Sequence, residues 1–233
     1  VYTSSYGGGL VDGDAISLDV EVGAGAAAFL STQASTKVYK SRRGTSSELR
    51  ARVEDGGLLV VAPDPVVCFA ASRYRQAQEF DLARGAALVA VDWMSSGRRA
   101  SGERWLFDEY DARLSVRFDG RLLVHDRLRL CAEDGELAAR MGRFDVLAIL
   151  VIAGHAVQPA AAALVSRIAA LPVARRADRL IAATPLGDAS DPGGAGCVVR
   201  VAGVSVEQVG RALRDCLDFV PALLGDDPWT RKW

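Results

Sequence analysis

The sequence holds only two histidines, His125 and His155, and four cysteines, Cys68, Cys131, Cys197 and Cys216, among 233 residues. Neither histidine sits in an HxH or HExxH pattern and no two cysteines form a CxxC pair, so the spacings that make a zinc centre legible are missing. An excess of one charge is also missing: 28 Lys and Arg stand against 29 Asp and Glu, for a formal net charge of -1. That balance gives bulk nucleic-acid binding no support. The longest apolar run, Val146 to Ala153, falls far short of the roughly 20 residues that span a membrane. There is no Gly-Lys-Ser/Thr phosphate loop, no GxSxG elbow and no paired-carboxylate signature, which removes the usual engines of nucleotide hydrolysis and acyl transfer. No signal peptide is visible, and because the chain opens on Val1 rather than Met, residues upstream are expected.

What is present is half hydrophobic, 50% by count, enough for a sizeable core in one large domain or two small ones. Cys68 and Cys197 lie in apolar, strand-like runs, so buried thiols in a reducing, cytoplasmic setting are expected. Ile16 to Val22 alternates cleanly and predicts a strand. After the turn at Gly23-Ala24-Gly25-Ala26, residues 28–40 read as a second strand, antiparallel to the first. This run is polar at its centre, from Ser31 to Ser35, between apolar ends. Period-two alternation would put Thr32, Ala34, Thr36 and Val38 on one side and Gln33, Lys37 and Tyr39 on the other. Buried hydroxyls and amides need partners or water, so the run is a candidate groove or protein contact.

Ahead of it, Tyr6 to Asp14 is a glycine-rich turn that includes Gly8, Gly9 and Gly13 and lacks the GxGxxG spacing of a dinucleotide site. Six basic residues between 37 and 52, with Glu48 the one acid, place an exposed hairpin loop at Arg42 to Ser47. Glu54-Asp55-Gly56-Gly57 predicts a turn. Pro63 and Pro65 hold Asp64 on a rigid bend between two apolar strands, where a carboxylate suits an Asx-turn or a ligand. Gly97-Arg98-Arg99-Ala100-Ser101-Gly102-Glu103-Arg104 packs arginine and glutamate between two glycines, and Glu103 could pair bidentately with Arg98 or with Arg104. Asp119-Gly120 between alternating runs predicts a hairpin. His125 beside Asp126 reads as a hydrogen-bonded structural histidine.

Past about Cys131 the composition shifts. An apolar strand ending near Ala153, a helix from Pro159 to about Leu171 and an apolar segment at Leu180 to Ala183 look like a βαβ fragment, and Gly193-Gly194 introduces a strand at Cys197 to Val201. Ser205 with Gln208 marks a capped helix whose apolar positions run from Val206 to Val220. The expected organisation is a β-rich body over residues 1–130 and a mixed strand and helix portion over 131–233, continuous with the same domain.

Taken in order, Gly8-Gly9-Leu10-Val11-Asp12-Gly13-Asp14, then Ser31 through Ser41, then Gly97-Arg98-Arg99-Ala100-Ser101-Gly102-Glu103 closely resemble the urease accessory protein family UreD, called UreH in some organisms. Ala62 to Phe69 and Cys197 to Val201 extend the similarity. The resemblance implies a mainly β fold, a stacked, helical-type β-sheet body with a few α-helices in the C-terminal half, and a cytoplasmic, non-enzymatic scaffold. It implies binding to apo-urease and UreF, contact with the GTPase UreG through UreF, and help with nickel delivery. No stably bound cofactor follows from it: nickel is expected in transit, with Asp64 and Glu103 as carboxylates on its route, and the competing arrangement is a tight site built from Cys68, His125 or Cys131. The motif residues Gly8, Gly9, Gly13, Asp14, Thr32, Gln33, Thr36, Lys37, Tyr39, Asp64, Gly97, Arg98, Gly102 and Glu103 are the expected partner or structural positions. No membrane or nucleic-acid partner is expected. The alternatives are a small-ligand-binding β-domain, which requires an enclosed pocket between these motifs, and a β-rich enzyme using Asp64, Glu103 or His125.

Overall fold

The structure is a computed structural model describing residues 1–5, 7–187 and 196–231. Tyr6, Gly193, Gly194, Lys232 and Trp233 lie outside the described residues, and with them the glycine turn expected before the strand at Cys197. A short strand β1 (Tyr2–Thr3) precedes a chain that winds in repeated coils. The first coil is β2 (Ala15–Val22), β3 (Ala27–Thr32) and β4 (Thr36–Val38), and the second is β5 (Thr45–Val53), β6 (Leu58–Val61) and β7 (Val66–Cys68). The third is β8 (Arg73–Leu82) and β9 (Ala87–Ser95), after which β10 (Glu109–Phe118) starts a fourth. Equivalent strands stack in parallel, β2 on β5 on β8 on β10 and β3 on β6 on β9.

The two strands expected to form an antiparallel pair therefore belong to different sheets, each with parallel partners. Alternation tells which face a residue occupies, but not which strand lies beside it. The four-residue corner that looked like a hairpin turn is a solenoid corner, repeated in the next coils and tied to them: Gly25 donates its N–H to the Asp55 carbonyl at 3.1 Å, and Gly85 donates to Asp55 Oδ1 at 2.8 Å. Arg42 to Ser47 is likewise no hairpin loop. Thr45 already begins β5, and the strands on either side of the bend lie in different sheets, β4 pairing with β7 and β5 with β2 and β8.

The coils end in antiparallel additions. At Asp119-Gly120, with φ of 47° and 76°, the chain reverses into β11 (Arg121–Cys131), as the turn chemistry predicted. Helix α1 (Leu137–Met141) leads to β12 (Val146–Ala153), antiparallel to β9, then α2 (Gln158–Ala169), β13 (Arg179–Leu186) and β14 (Gly196–Gly203). β14 lies between β12 and β13 and is antiparallel to both, so the expected βαβ unit is split by an inserted strand. The chain then forms α3 (Val206–Cys216), whose Ser205 cap accepts the Gln208 N–H, and α4 (Val220–Leu224).

Among the described residues nine strands make one sheet, with the path β1-β3-β6-β9-β12-β14-β13 and β4 and β7 off it; five make the other, in the order β11-β10-β8-β5-β2. Two apolar clusters fill the space between the sheets, one around Phe80, Leu88 and Val151, the other around Tyr74, Met94, Phe107 and Tyr110. A third lies beneath α2 and α3, on the opposite face of the larger sheet. Buried on both faces, β9 and β12 read as continuous apolar runs rather than alternating ones. All four cysteines are free and buried, and burial pushes the Cys68 thiol up to about 12. No helix among the described residues is long and apolar enough to cross a membrane.

Candidate functional site

The polar run at residues 31–39 is not one strand. β3 ends at Thr32, a bend carries Gln33 and Ala34, and β4 resumes at Thr36. The break has a local cause. Asp64, held between its two prolines, donates its backbone N–H to Thr32 Oγ1 at 2.7 Å, and that hydroxyl in turn donates to Asp64 Oδ2 at 2.9 Å. The pair fastens the end of β3 to the neighbouring coil, and the chain steps sideways before pairing β4 with β7. Gln33 and Lys37 are exposed, whereas Tyr39 is half-buried and meets the Phe69 ring edge-on with centroids 5.0 Å apart. Tyr39 thus does not share an exposed strand face with Gln33 and Lys37, as the single-strand reading required.

The glycine-rich entry packs beside this segment. Leu10 and Val38 form a parallel bridge, with the Leu10 N–H on the Lys37 carbonyl at 2.8 Å and the Tyr39 N–H on the Leu10 carbonyl at 2.9 Å. Gly9 must be glycine: its φ is 156°, and a Cβ there would come within 2.4 Å of the Lys37 carbonyl oxygen. Gly8 faces the Tyr39 hydroxyl. Gly13 donates to the Gly44 carbonyl at 3.0 Å, and Asp14 Oδ2 accepts the Val11 N–H at 2.8 Å, closing the turn.

The 97–104 loop is a latch. Arg98 makes the bidentate pair with Glu103 that the spacing allowed, while its guanidinium lies 4.2 Å from the centre of the Phe69 ring. Glu103 also accepts the Ala70 N–H at 3.2 Å, and the Arg98 hydrogen bond holds its carboxyl below the usual range. Arg104 does not pair with Glu103: with Arg99 it flanks Asp145, at 2.6 Å and 3.1 Å respectively. Gly97 passes close to Cys68, where a Cβ would be 3.2 Å from the carbonyl oxygen, and Gly102 takes a left-handed conformation at φ 77°. Tyr39, Phe69, Arg98 and Glu103 are therefore one connected cluster.

Beneath Thr32 to Lys37 a cavity of about 440 Å³ opens between the two sheets. Gly8, Gly9, Thr32, Gln33, Thr36, Lys37 and Asp64 line its mouth together with Ile16 and Leu18, and Gln76, Gln78 and Asp92 line it from within β8 and β9; the 97–104 loop takes no part. The small-ligand reading required an enclosed pocket between the motifs; this cavity is open at its mouth, and it lies beside the glycine-rich entry and the 31–37 segment but away from the 97–104 loop. Asp92 is the residue that sequence reasoning passed over. Its signal was a lone carboxylate in the otherwise apolar run Ala86 to Met94, on a strand whose inward positions are Leu88, Ala90, Asp92 and Met94. Burial raises its carboxyl to about 6, against a hydrogen bond from the Gln76 side chain that favours the charged form. Close by, Tyr74 bonds Ser47 at 2.6 Å and donates to Gln76 Oε1 at 3.0 Å.

Asp64, Glu103 and His125 do not meet in one site. Asp64 is tied to Thr32, Glu103 to Arg98, and His125 lies on β11 with its Nδ1 3.0 Å from Ser115 Oγ. Among the described residues no group of three or more His, Cys, Asp or Glu side chains is placed to hold a metal ion, so Cys68, His125 and Cys131 form no such centre.

The family model described as the UreD urease accessory protein matches residues 1–233. The chain is 52% identical over 233 residues to the urease accessory protein UreD of Sorangium cellulosum (strain So ce56), covering 100% of this chain and 72% of that protein. It is 48% identical to the urease accessory protein UreD of Anaeromyxobacter sp. (strain Fw109-5), covering 99% and 76%. The urease accessory protein D of Arabidopsis thaliana is 36% identical over 251 residues, covering 99% and 85%. The relatives are named as accessories to an enzyme rather than as enzymes, and with a family match along its whole length this chain belongs to the UreD family of urease accessory proteins.

Proposed function

We propose that this chain is a non-catalytic scaffold in urease maturation that binds apo-urease and UreF, and through UreF the GTPase UreG, while nickel passes in transit. The observation that carries the reading is the family match over residues 1–233. The division within the motifs supports a particular contact surface. The 97–104 loop is consumed in holding Phe69 and Ala70, whereas Gln33 and Lys37 stand exposed at the cavity mouth. Gln33 and Lys37 form the partner contact, and Tyr39, Arg98 and Glu103 hold the surface in place.

The chemistry of the cavity favours weak passage over storage. Its polar lining offers carboxylate, amide and hydroxyl oxygens from Asp64, Asp92, Gln76, Gln78 and Thr32, the hard donors that leave a divalent cation partly hydrated, without the thiolate or imidazole cage of a tight nickel site. Of the two carboxylates expected on the route, Asp64 lines the cavity and Glu103 is not among its lining residues. Isolated protein titrated with nickel should show weak or no stoichiometric binding by calorimetry; a one-site nanomolar isotherm would overturn passage. Purified protein free of UreG should turn over neither GTP nor urea, and an enzyme-like rate with either would sink the scaffold reading. A small-ligand-binding domain is the second reading, favoured by the cavity itself. It predicts a low-molecular-weight species that survives native purification and is lost on filling the cavity with Leu18→Trp.

A further inference from the structure

The path of the larger sheet runs from β1 to β13, and the cavity lies toward the β1 end. At the β13 end two short segments meet, the turn from α1 into β12 and the loop from α2 into β13. Arg143 crosses between them: its Nε and Nη2 both donate to the Ala177 carbonyl, at 3.1 Å and 2.8 Å, and its guanidinium lies 4.5 Å from the centre of the Phe144 ring. The Val204 N–H donates to the Asp178 carbonyl at 3.0 Å, so the end of the loop is fastened twice. No carboxylate meets the charge of Arg143. Asp145, two residues on, is buried and already holds Arg104 on one oxygen and Arg99 on the other, at 2.6 Å and 3.1 Å. Arg140, Arg175 and Arg176 lie within three residues of the Arg143 to Ala177 contact along the chain, are exposed, and make no side-chain hydrogen bond or ion pair among the described residues. Glu136 and Asp178, the other carboxylates of the two segments, pair with none of them. Four guanidinium groups thus stand uncompensated in a chain whose formal net charge is -1.

The same loop presents the opposite chemistry at its tip. Leu171, Pro172, Val173 and Ala174 are all exposed, Val173 to 98% and Leu171 to 41%. Single apolar side chains in water need no explanation, but four in succession break the pattern that keeps a surface polar, and such runs belong to contacts. Pro172 fixes its own φ, which lowers the cost of ordering the tip on binding. Charge and apolar surface together state the partner. Carboxylates match the planar fork of arginine, and an apolar side chain covers Val173. A nucleic-acid backbone would answer the arginines and leave the tip in water. An anionic membrane is met by an amphipathic helix with mobile basic side chains, whereas Arg143 is held between a ring and a carbonyl.

We propose that Arg140, Arg143, Arg175 and Arg176, with the tip at residues 171–174, form a docking site for an acidic segment of a partner protein that carries an apolar residue among its carboxylates. The arginines steer and orient the segment, and the tip anchors it. Screening by salt weakens the attraction. The site is separate from the surface at Gln33 and Lys37 and does not depend on which assembly the protein enters.

The probe is a synthetic peptide of Asp and Glu around a central pair of leucines, read by fluorescence anisotropy on the protein as encoded, with whatever precedes Val1. One control carries Lys for every acid, and another carries Ser for both leucines. The acidic leucine peptide should bind, with an affinity that falls as salt is added, while the Lys peptide does not bind and the Ser peptide binds about threefold more weakly. Arg175→Glu/Arg176→Glu should weaken the acidic peptide by about tenfold and leave the melting temperature unchanged, because neither side chain has a partner within the fold. Val173→Ser should erase the difference between the leucine and Ser peptides. Absence of binding, equal binding of the Lys peptide, or indifference to the charge reversal overturns the proposal. So does binding by residues 1–233 that is missing in the protein as encoded, which shows the site already covered. A single-stranded oligonucleotide or phosphatidylglycerol vesicles that bind more tightly than the peptide, and are lost in the same double variant, overturn it in favour of a nucleic-acid or membrane surface.

Discussion

Two motif segments lie within reach of the same aromatic pair, Tyr39 and Phe69, and use their polar groups in opposite ways. In the 97–104 loop, Arg98, Glu103, Arg99 and Arg104 all have partners within the fold, and those bonds tie the loop to Phe69 and Ala70 on one side and to Asp145 on the other. In the 32–39 segment, Thr32 is spent on Asp64 and Tyr39 on Phe69, while the exposed Gln33 and Lys37 line a cavity. Similar residue types in motifs of similar strength therefore divide into a fastening and a surface. Partner binding should respond to the second, and stability to the first.

The largest effect should come from disturbing the support that places the surface. Gly9→Ala drives a Cβ into the Lys37 carbonyl at 2.4 Å in a backbone conformation that side chains rarely adopt, and should cost about 3 kcal/mol or more. An unfolding free energy from chemical denaturation lowered by less than about 1 kcal/mol would mean the glycine entry and β4 are not coupled as described.

The cavity floor gives the next effect, and it depends on pH. The Asp92 carboxyl lies at about 6 in the fold against 3.8 for an ordinary aspartate. Folding favours its protonated form, so the unfolded chain binds fewer protons between these values and stability falls as pH rises through that window, then levels off above it. Asp92→Asn removes this cost. It should stabilise the protein by on the order of 2–3 kcal/mol at pH 8, with most of that gain gone at pH 4, where Asp92 is protonated in the fold. Equal effects at both pH values would contradict the assignment.

Smaller again is the loss from Glu103→Ala, which frees the Ala70 N–H and strips Arg98 of its partner, at about 2 kcal/mol. Because the folded-state carboxyl is held low, its contribution is present above the unfolded value of 4.5 and disappears as pH falls through the lower folded value. The difference between wild type and variant should therefore shrink in acid. Lys37→Ala closes the series: an exposed side chain with no internal role in the fold should change stability by no more than about 0.5 kcal/mol.

Much of this was legible before any coordinates. The alternation of residues 16–22, the Asp119-Gly120 hairpin and the Ser205 cap are local features that local chemistry decided, while for Glu103 the spacing narrowed the partner to Arg98 or Arg104 and the fold chose Arg98. The pairing of strands was not legible. A four-residue glycine corner fits a hairpin or a solenoid equally, and only the stacking of Gly25, Asp55 and Gly85 from three separate coils distinguishes them. The break between β3 and β4 depended on a bond from Asp64, 32 residues downstream of Thr32. The cavity required two sheets to be brought face to face, so Asp92 kept its significance hidden inside a run that reads as ordinary core.

The division between fastening and surface is tested most directly by capture of apo-urease, with UreF and UreG present, on wild-type, Lys37→Ala and Glu103→Ala proteins at equal folded concentration. The account predicts that Lys37→Ala keeps the wild-type melting temperature and loses capture at least fivefold, while Glu103→Ala melts earlier and captures as wild type per folded molecule. A folded Lys37→Ala protein that retains every complex, or a Glu103→Ala protein that loses capture without losing stability, would contradict it.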